Sequence, residues 1–132
     1  MFVERLLNQG NAPLLEQMLR FTEARHRLMQ ENAANIDVPG YRQKDLDLGK
    51  FQSMLSKRVE ARESASPGSV KFDDIGFDVQ KPRNLLFHDQ NNRSMEELMA
   101  NNAKNALFHN FAVELLRKQY AAMDMALKER VT

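Results

Sequence analysis

The stretch SMEELMANNAKNALFHNFAVELLRKQYAAMDMALKERV, residues 94–131, decides the fold. Ser94 and Glu97 stand in the S-x-x-E spacing of a capping box, where two side chains satisfy backbone N–H groups at a helix start. From there, alternating steps of four and three pick out Met95, Met99, Asn102, Ala106, His109, Val113, Leu116, Tyr120, Met123 and Leu127. That is the period of one helix face. Leu98, Leu107, Phe111, Leu115, Ala122 and Ala126 widen the stripe, and no Pro or Gly interrupts it. The spacing predicts a helix over about 94–130, roughly 55 Å long at 1.5 Å per residue. Globular helices average about three turns. One stripe on so long a helix calls for coiled-coil packing against something equally long.

A second helical pattern runs over about 12–35. Asn11 is a suitable N-cap, and Pro13 falls in the first turn, where a missing N–H costs nothing. Leu14, Met18, Phe21, Leu28 and Asn32 keep near-heptad spacing, with Leu15, Thr22 and Met29 beside them. Arg25 interrupts this stripe, its stem able to pack while its head reaches water. Asn35 is expected to end the helix in the left-handed conformation, and Pro39 keeps Val38 out of the helical region. Val38-Pro39-Gly40-Tyr41 has Pro and Gly at the central positions of a type II turn. Asn32 and Asn35 read either as ordinary helix-end residues or, more sharply, as amides that bond the backbone of that turn.

The expected fold is therefore all-α. One domain, residues 1–132, holds two long terminal helices in an antiparallel coiled-coil-like hairpin, joined by an irregular middle segment of about 42–93. Within that segment Leu46, Leu48 and Phe51 suit an extended or short helical stretch. Met54, Leu55 and Val59 lie in a charged, weakly helical run. Residues 64–69 read as a loop, and Val70, Phe72, Phe77 and Val79 as a small hairpin. The helix-packing interface is expected at Leu14, Met18, Phe21, Leu28, Met99, Asn102, Ala106, Val113, Leu116, Tyr120, Met123 and Leu127, with Asn102 as a register-setting polar residue. A helix of about 23 residues spans roughly 35 Å and covers only part of the longer stripe. Assembly with other chains is thus expected from helix lengths alone.

Composition excludes several functions. The 19 Lys and Arg balance 18 Asp and Glu to a net charge of +1, which offers no broad basic footprint for nucleic acid. Cysteine is absent, so disulfides, thiolate zinc sites and Cys nucleophiles are excluded. No apolar run approaches the roughly 18 residues of a membrane span, and the start MFVERLLNQGNAPLL lacks the features of a secretory signal. There is no phosphate-binding Gly loop, nucleophile elbow or nucleotide motif. His26, His88 and His109 show no ligand spacing. No metal, cofactor or catalytic residue is expected, and the chain reads as a non-enzyme. Two classes remain: a self-assembling structural subunit, and a soluble helical adaptor outside any filament.

The segment Asn32-Ala33-Ala34-Asn35-Ile36-Asp37-Val38-Pro39-Gly40-Tyr41 resembles the axial proteins of the bacterial flagellum, whose N-terminal helix ends in an Asn-rich turn followed by T-P-G-Y or similar. Val38 replaces the usual Thr. RHRLMQENAAN, residues 25–35, stands where the family favours R-x-x-x-L-A-x-N-I-A-N, with Met29 for a small residue and Ala33 for Ile. Arg42 to Leu48, Asn91 to Met99, Asn102 to Leu107, Leu115-Leu116 and Met123 to Leu127 extend the resemblance over both ends. The large insertion of hook and distal-rod members is absent, which makes the short proximal-rod subunits of the basal-body rod family the most similar. The resemblance implies a family turn at Asn32, Asn35, Pro39, Gly40 and Tyr41 and terminal helices that pack into a torque-transmitting tube. Its implied partners are other copies of the chain, other rod proteins and the export-gate/MS-ring junction, without membrane insertion. It also implies flagellar type III export without a cleaved signal, to the periplasmic rod.

Overall fold

A computed structural model describes residues 10–67, 69, 76, 79–80 and 95–131. The described residues form a mostly helical fold of three helices and one short strand pair: α1 (Ala12–Ala34), β1 (Asp45–Leu46), α2 (Leu48–Glu63), β2 (Val79–Gln80) and α3 (Met95–Val131). The fold class is all-α, as the periodicity predicts.

α1 begins with Pro13 in its first turn, as expected. Asn11 does not cap it through its side chain; only its carbonyl accepts, from Leu15 N–H at 2.9 Å. At the other end Asn35 has φ −108° rather than the expected left-handed value. Its N–H and side-chain amide both donate to the Glu31 carbonyl, so the last turn closes on itself. The left-handed residue is Gly40, φ +78°, and Tyr41 N–H donates to the Val38 carbonyl at 3.2 Å. Together they make the type II turn.

The middle segment is not irregular throughout. α2 occupies sixteen residues of it. Asp47 caps α2 by accepting from Lys50 N–H at 3.0 Å, and Leu48, Phe51 and Leu55 then fall on one face at spacings of three and four. The reason is packing: Phe21 of α1 stacks on Phe51 with ring centroids 4.2 Å apart. These two, with Leu46 and Leu55, form the buried cluster, closed by Leu14, Met18, Leu28 and Met54. Each fully buried side chain of this kind is worth about 1.5–3 kcal/mol, and a stacked aromatic pair about 0.5–1.5 more. That outweighs the weak intrinsic preference of the charged run around them. Residues 64–67 turn out of α2, with Ser69 N–H donating to the Ser66 carbonyl. Of the hairpin expected downstream, Val70, Phe72 and Phe77 lie outside the described residues, as does the capping residue Ser94. Val79 pairs antiparallel with Leu46, and Gln80 with Asp45.

α3 lies along α1. Asn102 meets His26, Asn105 and His109 meet Thr22, and Tyr120 meets Glu16. Residue numbers rise on one helix as they fall on the other. The buried line on α3 is Leu98, Asn105 and Ala112, at heptad spacing, and the matching line on α1 is Leu15, Thr22 and Met29.

Candidate functional site

Two constellations stand out. The first is built around Asn32, in the last turns of α1 and only 2% exposed. Its Nδ2 donates to the Lys44 carbonyl at 2.6 Å, and its Oδ1 accepts from Lys44 N–H at 3.0 Å. The side-chain amide thereby mimics a peptide group and pairs with the backbone of residue 44 as a strand would. The same Oδ1 accepts from the Tyr41 hydroxyl at 2.9 Å. Burial, reinforced by the Glu31 carboxylate, pushes the Tyr41 hydroxyl above its ordinary pKa and keeps it a donor. Asn32 thus holds both sides of the chain segment that leaves the Gly40 turn.

About two helical turns before Asn32, Arg25 grips the same returning segment. Its Nε donates to Asp45 Oδ1 at 2.8 Å and its Nη2 to Asp45 Oδ2 at 2.7 Å. This is a two-pronged Arg–carboxylate pair with 10% and 26% of the two side chains exposed. Arg25 therefore does not send its head to water; it is buried beside the Phe21–Phe51 cluster. Asp45 Oδ1 also accepts from Leu46 N–H, which ties the pair to β1.

The second constellation is the polar middle of the α1–α3 seam. Asn105 donates from Nδ2 to the Thr22 carbonyl at 2.8 Å. The Thr22 hydroxyl donates to the Leu19 carbonyl at 2.9 Å, so it accepts from His109 Nδ1, also at 2.9 Å. Thr22, Glu23, His26, Asn105, Ala106 and His109 line an open cleft of about 420 Å³. Its polar groups are engaged with one another: His26 donates from Nδ1 to Asn102 and accepts at Nε2 from Gln30. Among the described residues no three His, Cys, Asp or Glu side chains are placed to hold a metal ion, and no helix is long and apolar enough to cross a membrane.

The expected interface residues divide by position. In the single chain Phe21 is buried; Leu14, Met18, Leu28, Val113, Leu116 and Met123 are half-buried; Met99, Asn102, Ala106, Tyr120 and Leu127 are exposed. The buried amide of α3 is Asn105, not Asn102. The buried positions on α3 are 98, 105 and 112, whereas 109, 113, 116 and 123 of the apolar stripe are half-buried. Asn105 and Ala112 are small enough to let the helices approach, while Leu107, Phe108 and Phe111 stay outside. Of the family turn, Asn32 is buried, Asn35 and Tyr41 are half-buried, and Pro39 and Gly40 are exposed.

Outside the seam, Met99, Leu107, Phe108, Phe111 and Met125 remain exposed, Leu107 to 70% and Phe111 to 60%. Leu107 and Phe111, four apart, and Phe108 and Phe111, three apart, are surface neighbours. Phe111 and Leu115 continue into a trough of about 320 Å³ against Leu14 and Met18 of α1. Sequence reasoning missed Arg25, Asp45, Lys44 and Asn105. The signal for the first two was a lone Arg on an apolar face with an acidic residue in the returning segment. The chain matches no protein-family model and no curated protein.

Proposed function

We propose that the chain is a structural subunit of the bacterial flagellar basal-body rod, similar to the proximal-rod subunit FlgB and less so to FlgC. One observation carries the proposal: large apolar side chains stand exposed along α3, at Met99, Leu107, Phe108, Phe111 and Met125. Neighbouring apolar groups of this size mark an interaction surface. In the rod, α1 and α3 act as an antiparallel coiled-coil-like hairpin, and neighbouring subunits cover the outer face of α3. Its partners are further copies of the chain, other rod proteins and the export-gate/MS-ring junction, and its place is the periplasmic rod. The function is mechanical, without covalent chemistry: packed helices transmit torque. The tightly held turn at Asn32 and Gly40 supports this reading, because it fixes the direction in which the chain leaves α1.

An open helical array needs two different contact faces per subunit, whereas a closed adaptor needs one. The test is deletion of the gene in its host, with electron microscopy of isolated basal bodies and swimming assays. Rings without a rod, restored by the wild-type gene, are the expected result. Complete rods in the deletion strain contradict the proposal, and an adaptor gives that outcome.

A further inference from the structure

We infer that Thr22, Asn105 and His109 form a register key: one residue of α1 and two of α3 that specify which heptad of α3 lies against which heptad of α1. The proposal concerns the pairing of the two helices and stands independently of the rod assignment.

The two buried lines of the seam are each periodic. Leu15, Thr22 and Met29 on α1 and Leu98, Asn105 and Ala112 on α3 all repeat every seven residues. Periodic lines can pair in more than one way, because a shift of seven residues, about 10 Å, restores the same helix faces. Apolar contact alone does not choose between these pairings. A polar layer does, when only one pairing satisfies it.

Thr22 supplies that layer. It takes two bonds from α3 at once, Asn105 Nδ2 on its carbonyl at 2.8 Å and His109 Nδ1 on its hydroxyl at 2.9 Å. Asn105 and His109 are four apart and so project from the same face of α3. The hydroxyl is held in the accepting orientation, because its own hydrogen goes to the Leu19 carbonyl. Asn105 is 2% exposed and Thr22 5%, so water has little access to the amide's bond, while the half-buried His109 stands at the edge of the cleft. A shift of one heptad puts Asn105 and His109 against Leu15 or Met29. Neither has a hydroxyl for the imidazole, and each longer side chain blocks the amide's approach to the backbone carbonyl. A buried amide left without its partner disfavours both shifted pairings.

The absence of cysteine makes the test clean. Spin labels are placed at Ala33→Cys and Lys118→Cys, both exposed, in the full chain diluted with unlabelled protein. Ala33 lies eleven residues beyond Thr22 on α1, and Lys118 thirteen beyond Asn105 on α3, in opposite directions along the axis. Their axial separation is about 36 Å in the observed pairing. Pulsed electron–electron resonance should give one distance near that value. Exchanging the key, Leu15→Thr with Thr22→Leu, should move the distance to about 46 Å, because Asn105 and His109 follow the threonine by one heptad. An unmoved distance in that folded variant overturns the proposal. If the exchange variant fails to fold by circular dichroism, Asn105→Ala with His109→Leu decides, since it removes both α3 bonds to Thr22. Two populations about 10 Å apart uphold the key, and a single native distance overturns it.

Discussion

Replacing Asn32 by Ala removes three hydrogen bonds and little else. The amide donates to the Lys44 carbonyl and accepts from Lys44 N–H and the Tyr41 hydroxyl. Each such bond contributes about 1 kcal/mol net, so full loss is on the order of 3 kcal/mol. Lys44 is exposed and Tyr41 half-buried, so water re-satisfies part of what is freed. The expected destabilisation is therefore about 2 kcal/mol. With a urea dependence of roughly 2 kcal/mol/M for a chain of this size, the unfolding midpoint should fall by about 1 M. Far-ultraviolet circular dichroism follows the transition. Asn35→Ala is the control, because its amide donates only to the Glu31 carbonyl in the same helix. It should cost less than about 0.5 kcal/mol. Equal costs for the two variants, or a change under about 0.5 kcal/mol for Asn32→Ala, would show that Asn32 does not hold the returning segment.

Arg25→Met should destabilise by about 1–3 kcal/mol in the same urea assay, since it leaves the three-quarters-buried Asp45 carboxylate without its fork, and Arg25→Lys should recover only part. Gly40→Val should cost about 1–3 kcal/mol through the φ of +78° alone, because the space around it is open. Gly49→Ala, inside α2 with only an ordinary 3.6 Å contact for its new Cβ, should stabilise by about 0.5–1 kcal/mol. The Tyr120 hydroxyl is pushed up to about 12 by its bond to Glu16, then by burial and by the Glu16 charge. Because this folded value lies above the ordinary 10.0, the contribution to stability is full below pH 10 and is lost as pH rises through about 12. Ultraviolet titration of Glu16→Gln should show that tyrosine ionising earlier than in the wild type.

The two terminal helices and the Gly40 turn were legible because their signals are local: unbroken periodicity, Pro and Gly at fixed offsets. α2 was legible only as a weakly helical run, since only Phe51 and Leu55 on it are buried, and the charged residues that follow from Lys57 on dilute the pattern. Its helix depends on a stacking partner, Phe21, thirty residues earlier. Arg25 misled for the opposite reason. A charge on an apolar face is usually solvated, and nothing local announces that Asp45 returns to meet it. The seam of α3 shows how periodicity picks a face without picking its centre. Ranking residues by hydropathy favours Met99 and Leu107, whereas close approach to α1 selects Asn105 and Ala112, whose size and hydrogen bonding matter more than their hydropathy. The large side chains excluded from the seam are the ones left exposed.

The central claim is that the exposed face of α3 joins the chain to a rod. Phe111→Asp changes that face at a side chain that is 60% exposed, so the single chain should keep its stability within about 0.5 kcal/mol. Quantitative mass spectrometry of basal bodies purified from strains expressing either form tests the claim most directly. Several copies of the wild-type chain per basal body are expected, and almost none of the Phe111→Asp chain at equal cellular expression. Equal amounts of the two in the particles, or absence of the wild-type chain from particles that contain a complete rod, would contradict it.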